Sequence, residues 1–491
     1  MKTNERGGVV QPGRWTGILT QAVLAALPLL GWCAALAFAQ IGTGQICVGQ
    51  ESFVQPMLVQ ESPPQPIGAE GKAESQAEND QATAEFDLDS NLKSFDQVWE
   101  TIANTLWDEQ LVAEKWNPLK AKYRPQLEAA ESIDQVRETI QTMINELNLS
   151  HFGIIQASAI DVISPTEESG DAYAGLWFRW VDDEVVVSQV DPGSSAAEAG
   201  VEPGWIVEKI GDLEVNELIE RIRSAAHGPI RLDTLVGLTL SELSSGPTQQ
   251  KKPFRFVDRN AEPQEMSLEL RVPAGKFTKF GHLPPIRVQT RVATLPDRIG
   301  YFWFNAFLDP IRLMPQFREC VHQAEHSDGI ILDLRGNMGG MAGMTMGMAS
   351  EFSDTDASLG IMTMKGAEIK FFVSACAEPV TCPVAVLVDE CSISSAEILA
   401  GGLQDLKLAR VFGSRTAGLA LPSVVVRLPN GDGFQYAMAN YHSASGKSLE
   451  MNGVSPDETV VLSRELLLAD PDPVLSRAVQ WIQQQNVQKT P

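Results

Sequence analysis

A chain of 491 residues is too long for one ordinary hydrophobic core, and with 44% apolar residues it has material for two or three. Its formal net charge of -25, from 38 Lys and Arg against 63 Asp and Glu, argues against nucleic acid as a partner, because a phosphate backbone is held by a basic surface.

At the N-terminus Lys2, Arg6 and Arg14 precede an apolar run from Trp15 to Phe38 that closes on Ala37-Phe38-Ala39. This pattern over residues 1–39 predicts an export signal, and hence a periplasmic or extracellular protein. The run is also long enough to cross a bilayer, so an uncleaved membrane anchor is the alternative. Residues 40–92 are rich in Gln, Glu, Ser and Pro and read as a disordered acidic linker. Removal of the signal leaves Cys47, Cys320, Cys376, Cys382 and Cys391, an odd set without CxxC spacing. Cys376 and Cys382 flank a short turn and read equally as a pair or as two thiols.

Residues 93–165 read as helical. Val98, Ile102 and Leu106 share one face, and Val136, Ile140, Met143, Ile144 and Leu147 share another. Ser132 with Gln135 is the capping signal of the second helix, which runs into Ser150-His151. From 172 to 275 short alternating strands are broken by Asp191-Pro192-Gly193 and Glu202-Pro203-Gly204 turns. The stretch from Gly193 to Ile206 resembles the PDZ domains of bacterial envelope proteases. That resemblance implies a groove for an extended peptide, with Gly175, Leu176, Trp177 and Phe178 as the loop that takes its terminal carboxylate. A β-module that only packs on its neighbour is the plainer alternative. From 290 to 482 the reading is α/β, with Gly329–Arg335 and Pro383–Asp389 as central strands.

Nucleophilic catalysis needs a hydroxyl on a rigid turn near a helix N-terminus whose free N–H groups can hold an oxyanion. Ser394, after a buried strand and before Ser395-Ala396-Glu397, has that setting, although Ser-x-x-Glu is equally an ordinary capping box. Three segments in order resemble the tail-specific, or C-terminal processing, serine proteases: Asp333-Leu334-Arg335-Gly336-Asn337-Met338-Gly339-Gly340, Val388 to Ile398, and Gly453-Val454-Ser455-Pro456-Asp457. The resemblance spans roughly residues 95 to 465. It implies an α/β, crotonase-like core, Ser394 as nucleophile, and Gly340 and Ser395 as the oxyanion hole.

The best-known members use a lysine as base, and here Leu419 stands at that position, while Arg415 cannot give up its proton. A second branch, represented by the tricorn core protease, uses a Ser-His pair and a glutamate. Ser150, His151 and Glu450 match those positions, so the resemblance makes His151 the base and Glu450 the group that orients its imidazole. His442 is the rival base. Asp405 matches an acidic family position and reads more readily as structural. His322-Gln323-Ala324-Glu325-His326 has inverted-zincin spacing but reads as a polar helix end, so no metal and no cofactor are expected.

The resulting expectation is a multidomain, exported serine endopeptidase acting on peptide or protein substrates through unfolded or C-terminal segments. The rival is a catalytically inactive, peptide-binding scaffold.

Overall fold

The computed structural model describes residues 86–160, 171–225, 230–283, 285–323 and 328–489. The expected signal or anchor and most of the expected linker lie outside them. Helix α1, Leu88–Thr105, starts within the stretch expected to be linker. Its polar opening explains the misplaced boundary: Asp87 Oδ1 accepts the Asp89 N–H at 3.0 Å, so the residues that look like linker are the cap.

Helices α1, α2 (Leu119–Glu128) and α3 (Ile133–Asn145) bury Phe95, Ile102, Tyr123, Val136 and Ile140 in one cluster. Ser132 caps α3 by accepting the Gln135 N–H at 3.3 Å. After α3 the chain passes Ser150-His151 and enters β1, Gly153–Ile155.

A second cluster belongs to a sheet in the order β2-β3-β4-β5-β6: Leu176–Val181, Glu184–Val190, Ile206–Ile210, Lys251–Val257 and Pro263–Glu269. Helices α4 (Val215–Ala225) and α5 (Leu232–Ser244) complete it. Its interior holds Phe178, Val187, Trp205, Ile222, Leu240 and Phe256.

The third unit is an α/β layer. Its main sheet runs β7 (Thr290–Leu295), β8 (Ile299–Phe304), β9 (Gly329–Asp333), β12 (Val384–Val388), β13 (Arg410–Gly413) and β17 (Glu458–Thr459). Strands β8 to β17 pair in parallel, and β9 and β12 are buried along their whole length, as uninterrupted apolar runs require. Helices α6 (Pro310–Gln323), α7 (Ala342–Ser350) and α8 (Ser395–Asp405) pack their apolar residues on one face, and α9 (Pro473–Lys489) covers the other with Val474, Ala478 and Ile482. Two smaller sheets complete the unit. One runs in the order β11-β10-β16, from Ala367–Val373, Ala357–Met364 and Ala439–Ser443. The other is β1-β15-β14, where β14 is Ser423–Arg427 and β15 is Gly433–Ala437.

That last sheet matters for function. Gly153 pairs with Gln435 and Ile155 with Gly433, so the N-terminal helical unit is stitched into the α/β unit two residues after His151. Buried Asp432 reinforces the seam by accepting from Arg137 at 2.7 and 2.9 Å and from the Ala157 N–H at 3.0 Å.

Candidate active site

Strand β12 ends at Val388, and the chain turns through Asp389–Ser394 into α8. The turn is held from beneath: Ser392 Oγ donates to Leu334 O at 2.8 Å and accepts the Asp389 N–H at 3.0 Å, and the Ile393 N–H reaches Asn337 O at 2.9 Å. Ser394 then sits at φ 58°, ψ −117°, far from the extended backbone of an N-cap. Such a conformation costs a non-glycine residue roughly 1–3 kcal/mol and persists only where its surroundings impose it. The Ser-x-x-Glu signal is nonetheless partly realised as a cap, because Glu397 Oε2 accepts the Ser394 N–H at 3.1 Å.

Gly340 stands beside this turn. Its φ of +135° is closed to most side chains, and a Cβ there would lie 2.5 Å from Phe307 O. Ser395 Oγ donates to Gly340 O at 2.7 Å, which fixes the Gly339-Gly340 turn against the start of α8. As the first residue of α8, Ser395 carries an N–H with no intrahelical acceptor. The two expected oxyanion donors are therefore neighbours.

His151 arrives from the N-terminal unit with φ 60°, and with Ser150 it is buried. Ser150 Oγ lies 2.7 Å from His151 Nδ1 and donates to Glu450 Oε2 at 2.9 Å, and the Ser150 N–H donates to Glu450 Oε1 at 2.9 Å. The expected contact between Glu450 and the imidazole is thus relayed by Ser150. The relay has a definite proton order. A hydroxyl carries one proton, and when it goes to an ionised Glu450 the Nδ1 must be the N–H that Ser150 Oγ accepts. Nε2 then carries the lone pair, and it is buried with no hydrogen-bond partner among the described residues. Burial pushes the His151 pKa down to about 3, so the ring is neutral at physiological pH. Burial pushes Glu450 up to about 7 against the three donors it accepts.

The loop between β13 and β14 touches both groups. The Ser394 N–H also reaches Leu419 O at 2.9 Å, and the next residue, Ala420, donates its N–H to Glu450 Oε2 at 3.2 Å. The Leu419 side chain is buried in the cluster of the β2–β6 unit, with Ile393 and Ala417. Position 419, where the resemblance expects a basic side chain, offers its backbone to Ser394 and its side chain to packing. Arg415 does not substitute, since its guanidinium is spent on Asn452 O and on Met451 O at 2.7 Å.

The β2–β6 unit docks against the same turn. Arg179 on β2, buried, pairs with Asp389 and with Glu390 at 2.8 Å, and Thr234 Oγ1 on α5 donates to Glu390 O at 2.8 Å. In the expected carboxylate loop, Leu176 and Phe178 turn into the unit's core. Trp177 lies against Gly336 and meets Trp303 edge-on at 5.8 Å, and its Nε1 donates to Asp191 at 2.8 Å. Gly175 takes φ +83°, and its carbonyl accepts the Asp191 N–H.

Among the rivals, His442 lies half-buried on β16, paired with Ile361. Asp405 accepts the Ser445 N–H at 2.9 Å and so ties α8 to the chain after β16. Glu325 and His326 lie outside the described residues. No disulfide joins Cys376 to Cys382. The sequence reading missed Thr416, Ala420 and Arg179, whose contributions depend on contacts 19, 30 and 210 positions away.

Residues 298–460 match the model of peptidase family S41. Over those residues the chain matches a family of serine-type hydrolases. It is 25% identical over 374 residues to a carboxyl-terminal-processing protease of Synechocystis sp., a match covering 74% of this chain and 79% of that one. With a probable CtpA-like serine protease of Staphylococcus haemolyticus it shares 26% identity over 300 residues, 60% of this chain and 53% of that one. The chain thus spans about half the length of the staphylococcal relative. In fold it resembles the photosystem II D1 C-terminal processing protease, with TM-score 0.53 at 19% identity over 79% of this chain and 97% of that one. Mature CPAF is comparable, with TM-score 0.54 at 13% identity over 80% and 98% of the two chains. The residues that match the S41 model lie in the observed α/β layer, and the scaffold alternative is not favoured.

Proposed function

We propose that this S41 peptidase is an exported endopeptidase that cleaves unfolded or C-terminal segments of proteins, with Ser394 as nucleophile and His151, in place of a lysine, as base. The observation that carries the second half is the relay from Glu450 through Ser150 to His151, which leaves Nε2 as an unpartnered lone pair while Leu419 fills the lysine position with an apolar side chain.

In the acylation step, Nε2 takes the Ser394 Oγ proton as the oxygen attacks the scissile carbonyl carbon. The negative charge that develops on the carbonyl oxygen meets the N–H groups of Gly340 and Ser395. Collapse of the tetrahedral intermediate expels the amine, which receives the proton from Nε2. Water then repeats the sequence on the acyl-enzyme and frees Ser394. Throughout, Ser150 and Glu450 stabilise the imidazolium through Nδ1–H. In this proposal the β2–β6 unit is a PDZ module: β2 ends its sheet's strand order and so offers an edge to which a peptide strand can add.

A fluorophosphonate probe tests the assignment. Wild type is expected to label, while Ser394→Ala and His151→Ala are expected not to. Failure of wild type to label removes the nucleophile, and normal labelling of His151→Ala with loss in His442→Ala moves the base.

A further inference from the structure

Glu397 is fully buried, and among the described residues it has no cationic partner. It is held instead by four donors from two segments. Oε1 accepts Thr416 Oγ1 at 2.6 Å and the Gly418 N–H at 2.8 Å, and Oε2 accepts the Leu419 N–H at 2.9 Å and the Ser394 N–H at 3.1 Å. Both oxygens are thus used twice, which an ionised carboxylate allows and a carboxamide does not. The amide run does not stop there, since the following N–H, of Ala420, belongs to Glu450. Three consecutive N–H groups are shared between two buried carboxylates, one tied to Ser394 and the other, through Ser150, to His151.

Thr416 extends the clamp. Its hydroxyl donates to Glu397 and accepts the Val454 N–H at 2.6 Å, so the segment after Glu450 is tied to the same point. The Gly418 carbonyl accepts the Met451 N–H at 2.8 Å, directly after Glu450. The loop 416–420 is therefore a spacer between the two halves of the site, and Glu397 is the side chain that fastens the nucleophile to it.

We propose that Glu397 is a positioning residue of this peptidase: by clamping the strained Ser394 turn to the 416–420 loop, it sets the reach between Ser394 Oγ and His151 Nε2. The proposal rests on the assignment of those two residues as nucleophile and base. Glu397 does not touch substrate, so its loss acts on the chemical step and leaves peptide binding in place.

The test is Glu397→Gln in the full chain, assayed for kcat and KM on a quenched-fluorescence peptide that wild type cleaves, for the rate of fluorophosphonate labelling, and for its melting curve. In this variant the amide NH2 faces at least one backbone N–H. We expect kcat about 100-fold lower, KM within about twofold and labelling slowed in proportion, with a cooperative melt retained. A folded Glu397→Gln with kcat within about threefold of wild type overturns the proposal, as does a loss confined to KM. If that variant does not fold, Thr416→Val decides, because it removes one donor and spares Ser394. Its kcat is expected to fall at least about tenfold and to recover in Thr416→Ser, whereas a folded Thr416→Val with wild-type kcat overturns the clamp. Inactive wild type defeats the parent assignment, an outcome distinct from active wild type with an indifferent Glu397→Gln.

Discussion

At the residue scale, burial sends the titratable groups of the site in opposite directions. His151 is pushed down to about 3, while Glu450 and Glu397 are each pushed up to about 7. Under the proposed mechanism, the acid limb of activity therefore belongs to the carboxylates, since the imidazole is already neutral. A protonated Glu450 can donate to Ser150, and Ser150 can then donate to Nδ1, which places the ring proton on Nε2 and removes the base. We expect kcat to rise as pH climbs through about 7, with two protons released. In Glu450→Gln the limb shallows toward one proton, the one on Glu397, and kcat falls by about 10²–10⁴-fold, as when other catalytic histidines lose the carboxylate that fixes their tautomer. A pH–rate profile of both proteins checks this, and an unchanged slope counts against Glu450. The same values have a stability consequence. The carboxylates are raised, so their contribution is complete below their ordinary value of 4.5 and is lost as pH rises through about 7. His151 is lowered, so its contribution is present above 6.5 and is lost as pH falls toward about 3.

At the scale of elements, the buried pairs of Arg179 on β2 with Asp389 and Glu390 join the β2–β6 unit to the turn that carries Ser394. The attraction of both carboxylates holds the Arg179 guanidinium firmly charged despite its burial. Arg179→Ala leaves two buried carboxylates without their cation and is expected to cost about 3–5 kcal/mol, read as a lower midpoint in urea unfolding. Thr234→Val, which removes one hydroxyl from the same junction, should cost about 1–3 kcal/mol. Equal midpoints in the two variants would mean that the ion pairs do not anchor the junction.

How far the sequence could be read also separates by element. Strands β9 and β12 were legible because an unbroken apolar run bounded by turn residues has few other readings, and α8 because a cap signal and apolar spacing agree. Ser150, His151 and Glu450 came into view through the resemblance and through Leu419, where the expected base is absent. The start of α1 was hidden because its cap has linker composition. The relay through Ser150, the clamp on Glu397 and the Arg179 junction were not legible, because each joins residues that periodicity cannot relate. Ser150 and Glu450 are 300 positions apart, and Arg179 and Asp389 are 210 apart.

At the scale of the whole molecule, the site is divided between units whose cores are largely distinct and meet at Ile155, Leu428 and Phe434. Phe95, Ile102 and Val136 belong to one cluster and Ile398 and Leu399 to another, and the helices that lead to His151 share no strand of the main sheet. A chain lacking residues 86–160 keeps the α/β layer and the Ser394 turn but has neither Ser150 nor His151. It is expected to retain a cooperative melt, to lose fluorophosphonate labelling, and to regain labelling when the missing segment is supplied in trans. Labelling by the truncated chain alone would show that His151 is dispensable.

The seam that completes the site is short. Strand β1 contributes three residues and pairs with a partner some 280 positions away, and the seam is reinforced by Asp432, by Asn430 against Asn91 and Ser94, and by Leu428 and Phe434 in the helical cluster. Contacts so distant in sequence form late, because the loop they close must be ordered first. Under the proposed assignment, a nascent or partly folded copy would thus hold Ser394 without the base that arms it. On that assignment folding itself would be the activation step, and a protease made among unfolded copies of its own chain would be spared from digesting them.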